Sequence, residues 1–155
     1  MAFQLDMKAV ARIASRVHLT EVRLIGLSAV RVSDSDEKQL QAKVEPSCTA
    51  RIAGPDRIDA TCLYKFKGSD SKRDLATVDV TYLLVYRTEG SDPIDESDLE
   101  HFANANGAYN SWPFVRELLH SMTSRMGFPP FVLPVLSFSP PRPQTSHHVP
   151  SKHEK

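Results

Sequence analysis

The chain has 155 residues, 41% of them hydrophobic and 25% charged, which is one domain of ordinary globular composition with enough apolar material for a core that needs no metal or disulfide staples. Nineteen Lys and Arg balance nineteen Asp and Glu, so the basic excess of a general phosphate-binding surface is missing and nucleic acid is not an expected partner. The first ten residues hold no apolar run fit for a signal peptide, and no stretch approaches the roughly 18 apolar residues of a membrane span, so no membrane insertion is expected. Cys48 and Cys62 are far apart in sequence and form no CxxC. The expectation is a reduced, cytoplasmic chain in which both are small apolar residues packed in strands.

In chain order, Asp6 is placed to cap an amphipathic helix from Met7 to Arg16, with Met7, Val10, Ala11 and Ala14 at helical spacing. Val17 to Val32 reads as a long strand. Its apolar residues fall on both parities, which predicts burial on changing faces or a bend at Gly26. Gln41 to Ile52 alternates weakly and contains Pro46, the mark of an edge strand or a bulge. Arg57 to Lys67 alternates cleanly, with Ile58, Ala60, Cys62, Tyr64 and Phe66 on one face. Thr77 to Arg87 does the same with Val78, Val80, Tyr82, Leu84 and Tyr86. These are half-buried antiparallel strands joined as a hairpin by GSDSKRD.

Glu89 to Glu100 carries six carboxylates and no Lys or Arg. It reads as a solvated loop entering a short helix, Ser97 to about Ala105, that stops near Asn106-Gly107. The EF-hand spacing is absent, so no metal is expected there. Ser111 is the expected cap of WPFVRELLHSMTSRM, with Pro113 in its first turn. Val115, Leu118, Leu119, Met122 and Met126 form the apolar stripe of that helix, Thr123 faces elsewhere, and Gly127 ends it. FPPFVLPVLSF is apolar, extended and broken by prolines. From residue 138 the chain is rich in proline and poor in hydrophobics, which predicts a disordered tail in which His147, His148 and His153 lack a rigid metal shell. The domain is therefore placed at residues 1–137 and the tail at 138–155.

No catalytic motif is present: GxSxG, HExxH, GxxxxGK[ST] and GxGxxG are all missing, and His18, His101 and His120 lie on separate elements. The reading is a protein that is not an enzyme and needs no cofactor. What stands out instead is the cluster Trp112, Phe114, Phe128, Phe131, Val132, Leu133, Val135 and Leu136. Proline-broken apolar segments of this kind line cores, or line grooves and contacts with other chains.

The segment Ala108 to Phe138 resembles the SecB family of export chaperones. The resemblance rests on Pro113-Phe114-Val115-Arg116-Glu117, on Ser121-Met122-Thr123-Ser124-Arg125 and on Phe128-Pro129 with Leu133 following. Weaker similarity in strand pattern reaches back to about Val17. The resemblance implies an α+β fold with a four-stranded antiparallel sheet, a long C-terminal helix and a short N-terminal helix. It implies an ATP-independent holdase, assembled as a dimer of dimers, that binds unfolded polypeptides or preproteins in apolar grooves. By similarity, Trp112, Phe114, Phe128, Phe131 and Leu133 are the polypeptide-binding residues, and Val115, Leu118 and Met122 serve the core or the oligomer contact. Export members are acidic and dock the SecA motor. Here the charge is zero, Glu21 is the one candidate for that docking, and Ile25 stands where a second carboxylate is expected. The helix that export members carry after the Phe-Pro segment has no counterpart in SPPRPQTSHHVPSKHEK. These departures resemble the SecB-like relatives that partner toxin–antitoxin systems, which makes an antitoxin a possible client beside export substrates. The alternative is an oligomeric assembly module without chaperone activity.

Overall fold

Two clean hairpin strands set the architecture. The computed structural model describes residues 5–35, 41–129 and 131–136; the tail expected from residue 138 lies outside them. β3 (Arg57–Ser69) and β4 (Asp74–Thr88) pair antiparallel, and the face predicted to be apolar, from Ile58 to Phe66 and from Val78 to Tyr86, is buried throughout. β1 (Val17–Arg31) joins the far side of β4 and β2 (Gln41–Gly54) the far side of β3, giving one sheet of order β1-β4-β3-β2. Pro46 thus sits on an edge strand, where its missing N–H is tolerated.

The mixed parity of β1 has a simple cause. Its register with β4 slips between Leu19 and Glu21 and again between Leu24 and Gly26, so Thr20 and Ile25 are extra residues. Each bulge shifts the alternation by one. Leu19, Val22, Leu24, Leu27 and Ala29 therefore all share the face of Tyr86, Leu84, Tyr82, Val80 and Val78. The strand does not change faces.

Helices cover that face. α1 (Met7–Ala14) starts at Asp6, whose carboxylate accepts the amides of Lys8 and Ala9 at 2.9 and 3.3 Å. α2 (Glu96–Phe102) starts at Asp95, which accepts the Ser97 amide at 2.9 Å. Arg12 clamps Asp98 through two bonds of 2.7 Å, tying the two helices together and holding the Asp98 carboxyl below its usual range.

The helix stop expected at Asn106-Gly107 is not there, and Ser111 is not a cap. α2 runs through a π turn, Ala103–Gly107, into α3 (Ala108–Arg125). Packing overrides the breakers: Gly107 is needed because a Cβ at that position would stand 3.0 Å from the Cys62 sulfur. Ser111, fully buried, donates to the Gly107 carbonyl at 2.6 Å and meets the Tyr64 hydroxyl at 2.6 Å. Pro113 consequently lies inside the helix and not in its first turn.

Thr123 also departs from expectation. It is buried, donates to the Leu119 carbonyl at 2.8 Å and accepts the Phe131 amide at 3.1 Å. Gly127 ends the helix as expected, at φ +79°, with the Phe128 amide on the Thr123 carbonyl and the Gly127 amide on that of Ser124. This is the paired closure of a Schellman turn. Residues 131–136 then return along α3 without regular structure.

The expectation of unpaired cysteines is overturned. Cys48 and Cys62 stand directly opposite in the β2–β3 ladder, their Cα atoms 4.2 Å apart, and are disulfide-bonded. Both lie seven residues from Pro55, at the turn between the strands, so the hairpin register alone brings them together.

Candidate functional site

Each flank of α3 leaves apolar surface uncovered. On the β2 side, Trp112 is half-buried with its ring 5.9 Å from that of Tyr64, and its indole N–H donates to the Pro134 carbonyl at 2.9 Å. Arg116 donates to the Leu133 carbonyl at 3.0 Å, and the Phe131 ring lies 5.2 Å from that of Phe66. Across the ladder, Tyr64 pairs with Pro46 and Phe66 with Val44. Trp112, Phe131 and Leu136 together with Val44 and Pro46 thus make a half-buried apolar wall along β2.

Beside that wall an open groove of about 800 Å³ wraps the free edge of β2. Its lining includes Pro46, Cys48 and Leu63 of the sheet and Leu99 and Asn104 of the helical layer. Glu45, Glu96 and Glu100 rim it against a single ammonium, Lys65. Glu45 is also held by Lys43 at 2.5 Å, which keeps its carboxyl below the ordinary range. The short Cα separation marks Cys48 and Cys62 as a pair that exchanges no ladder hydrogen bonds. Alternation then turns the backbone of Val44, Cys48 and Ala50 outward into the groove, with one donor missing at Pro46.

On the β1 side a second surface is open. Leu19, Leu24 and Leu27 are 39 to 46% exposed although they share the core face of the sheet. Leu24 pairs with Tyr82, whose ring lies 6.0 Å from that of Phe114, itself 45% exposed. Half-buried Leu118 follows one helical turn later.

The five residues expected to bind polypeptide are therefore not gathered in one place. Trp112, Phe131 and Leu133 lie on the β2 flank, where Leu133 turns inward from the returning segment and is buried in the core. Phe114 lies on the β1 flank. Phe128 is buried against Leu75 and Ala76, with the Arg31 guanidinium 5.2 Å over its ring. Val115 is fully enclosed in the core, while Leu118 and Met122 are half-buried against it. Glu21 is bonded to Arg23 at 2.5 Å. Sequence reasoning had no sign of the β2 contribution beyond Pro46, since Val44, Cys48 and Leu99 meet only through strand register and helix packing.

No family model matches the chain. Among known proteins it is similar to the SecB-like chaperone Rv1957 of Mycobacterium tuberculosis H37Rv, 26% identical over 159 aligned positions covering 88% of this chain and 87% of that protein. The SecB-like chaperone MT2006 of the CDC 1551 strain matches equally. A solved structure of the Rv1957 SecB-like chaperone, in complex with a ChAD peptide from the Rv1956 HigA1 antitoxin, superposes with a TM-score of 0.77 at 23% identity. It covers 84% of this chain and 97% of that one. The chain is thus similar to SecB-like chaperones in sequence over most of its length and shares the fold of one of them. What the described residues offer is surface and not a reacting centre. Among the described residues no group of three or more His, Cys, Asp or Glu is set to hold a metal, and no helix is long and apolar enough to cross a membrane.

Proposed function

We propose that the chain is a SecB-like, ATP-independent holdase that takes extended apolar segments of non-native polypeptides along β2, and that an antitoxin is among its clients. The observation that carries this reading is the apolar wall of Trp112, Phe131 and Val44 continuous with an unpaired strand edge. Such a surface offers both side-chain pockets and backbone partners to an added strand. A folded protein hides the segments that fit it. Each large side chain fully buried there contributes about 1.5–3 kcal/mol, so several grooves on one oligomer are needed for tight capture. The carboxylates at the rim favour segments flanked by Lys or Arg. That the related Rv1957 chaperone has been solved with an antitoxin peptide supports the client class.

Leu19, Leu24, Leu27 and Phe114 fit a different partner in this reading, a second copy of the chain, as the first step toward a dimer of dimers. Their exposure favours an oligomer whether or not a client is bound. An assembly module without client binding would use this surface alone. Docking of SecA at Glu21 is a weaker part of the proposal, because Arg23 already neutralises that carboxylate.

The test is to mix the protein with a permanently unfolded polypeptide, its folded counterpart and a peptide from an antitoxin, then read masses by size-exclusion chromatography with light scattering. A tetramer-sized particle carrying the unfolded chain and the peptide, but not the folded protein, is the expected result. An oligomer that carries none of them would leave the assembly module, and a monomer that carries none would defeat both readings. Phe131→Ala is expected to weaken client binding by roughly tenfold, the scale of an interface anchor, with the oligomer intact. Fluorescence titration against the unfolded polypeptide measures that loss.

A further inference from the structure

We propose that the Cys48–Cys62 bond is a site of thiol–disulfide exchange, entered from the groove at Cys48, and that its state sets how firmly β2 is held at the sheet edge. The two cysteines have unequal surroundings. Cys48, 4% exposed, is among the residues lining the groove, whereas Cys62 is fully buried beneath the π turn and lines none of it. A Cβ placed on Gly107 would be 3.0 Å from the Cys62 sulfur, 3.7 Å from the Ala60 methyl carbon and, at ordinary contact distance, 3.9 Å from the Cys48 Cβ, so the π turn presses on the Cys62 sulfur itself. The Cys62 side is therefore closed.

An attacking thiolate reaches the Cys48 sulfur first. Its sulfur bonds to Cys48, the Cys48–Cys62 bond breaks, and Cys62 leaves as a thiolate that takes up a proton. A second small thiolate then attacks the small-molecule sulfur of the mixed disulfide, and Cys48 leaves as a thiolate that takes up a proton. The balance is two small thiols oxidised to one disulfide and one protein disulfide reduced to two thiols. Unbonded sulfurs need van der Waals separation, roughly 3.5–4 Å for heavy atoms of this size. Since Cys62 cannot withdraw into the π turn, the room must come from β2, which among the described residues has no strand outside it. Reduction thus loosens the strand that forms the groove wall.

The wild-type protein serves for the test, oxidised with oxidised glutathione or reduced with dithiothreitol under native conditions. The reduced form is expected to gain two hydrogens by intact mass and to be alkylated by iodoacetamide at Cys48 well before Cys62. Hydrogen exchange of the β2 amides that bond to β3, such as those of Lys43, Glu45, Ser47 and Thr49, should accelerate by about 100-fold, the effect of losing closure of a ~15-residue loop, while β4 amides stay unchanged. A Cys48→Ser, Cys62→Ser double variant should match the reduced form under both treatments. Failure of the bond to form on oxidation, equal labelling of both thiols, or identical exchange of β2 in the two forms would overturn the proposal. A final arm, which rests on the client reading above, compares the two forms for binding the unfolded polypeptide, and a several-fold difference is expected. If neither form binds, that reading fails, and the labelling and exchange results still decide this one.

Discussion

Tyr64 shows how much one side chain links. Its ring is fully buried between the sheet and α3, beside Trp112, and its hydroxyl reaches Ser111, whose own proton is committed to the Gly107 carbonyl. Burial pushes the phenol up from 10.0 to about 12. The folded state therefore holds the neutral form, and stability from this group is complete below pH 10 and is lost as pH rises toward 12. Tyr64→Phe is expected to cost about 1 kcal/mol at neutral pH, the worth of one hydrogen bond, since Ser111 keeps the Gly107 carbonyl as partner. The gap should narrow at pH 11, because the variant has lost one titrating phenol while Tyr86, also raised to about 12 by burial, remains in both proteins. Urea unfolding at the two pH values reads both effects.

At the scale of elements, the closure of α3 can be tested without disturbing any contact. A Cβ on Gly127 would meet nothing within 4 Å, so Gly127→Ala pays only for the left-handed backbone. The expected loss is about 1–2 kcal/mol, seen as a lower urea midpoint at unchanged slope. Which elements were legible in the sequence follows from what decides them. The period-two patterns of β3 and β4, the Asp6 cap and the Gly127 stop are local signals, and the structure carries all four. The continuity of α2 into α3 was hidden because Asn106-Gly107 and Ser111 are local signals for a break. They are outvoted by packing of the π turn on Cys62, a contact 45 residues away in sequence. Likewise the parity of β1 misleads until its two bulges are known, and the groove cannot be read from sequence because α2 and β2 meet only after folding.

For the whole molecule, zero net charge and two uncovered apolar flanks leave little to keep copies apart. On the reading proposed above, the β1 flank is consumed in assembly and the β2 flank stays free for clients. Leu27→Lys places an ammonium in the middle of the β1 row, where the Leu27 side chain is already 46% exposed in the subunit. The variant is expected to keep its thermal midpoint in circular dichroism measured at dilution while its mass by light scattering falls to that of a single chain. Loss of client binding in that monomer would then reflect lost avidity, because the β2 wall is untouched.

An open strand edge is as inviting to another copy of the same chain as to any guest, and edge-to-edge stacking is the route to fibres. Pro46 breaks that symmetry. A copy laid along β2 meets an amide at Val44 and at Cys48 but none between them, so a long register cannot close over the whole edge. A short guest segment needs only one side of the gap, for example the stretch from Cys48 to Ile52. On the reading proposed above, one ring nitrogen without a hydrogen separates holding a guest from polymerising.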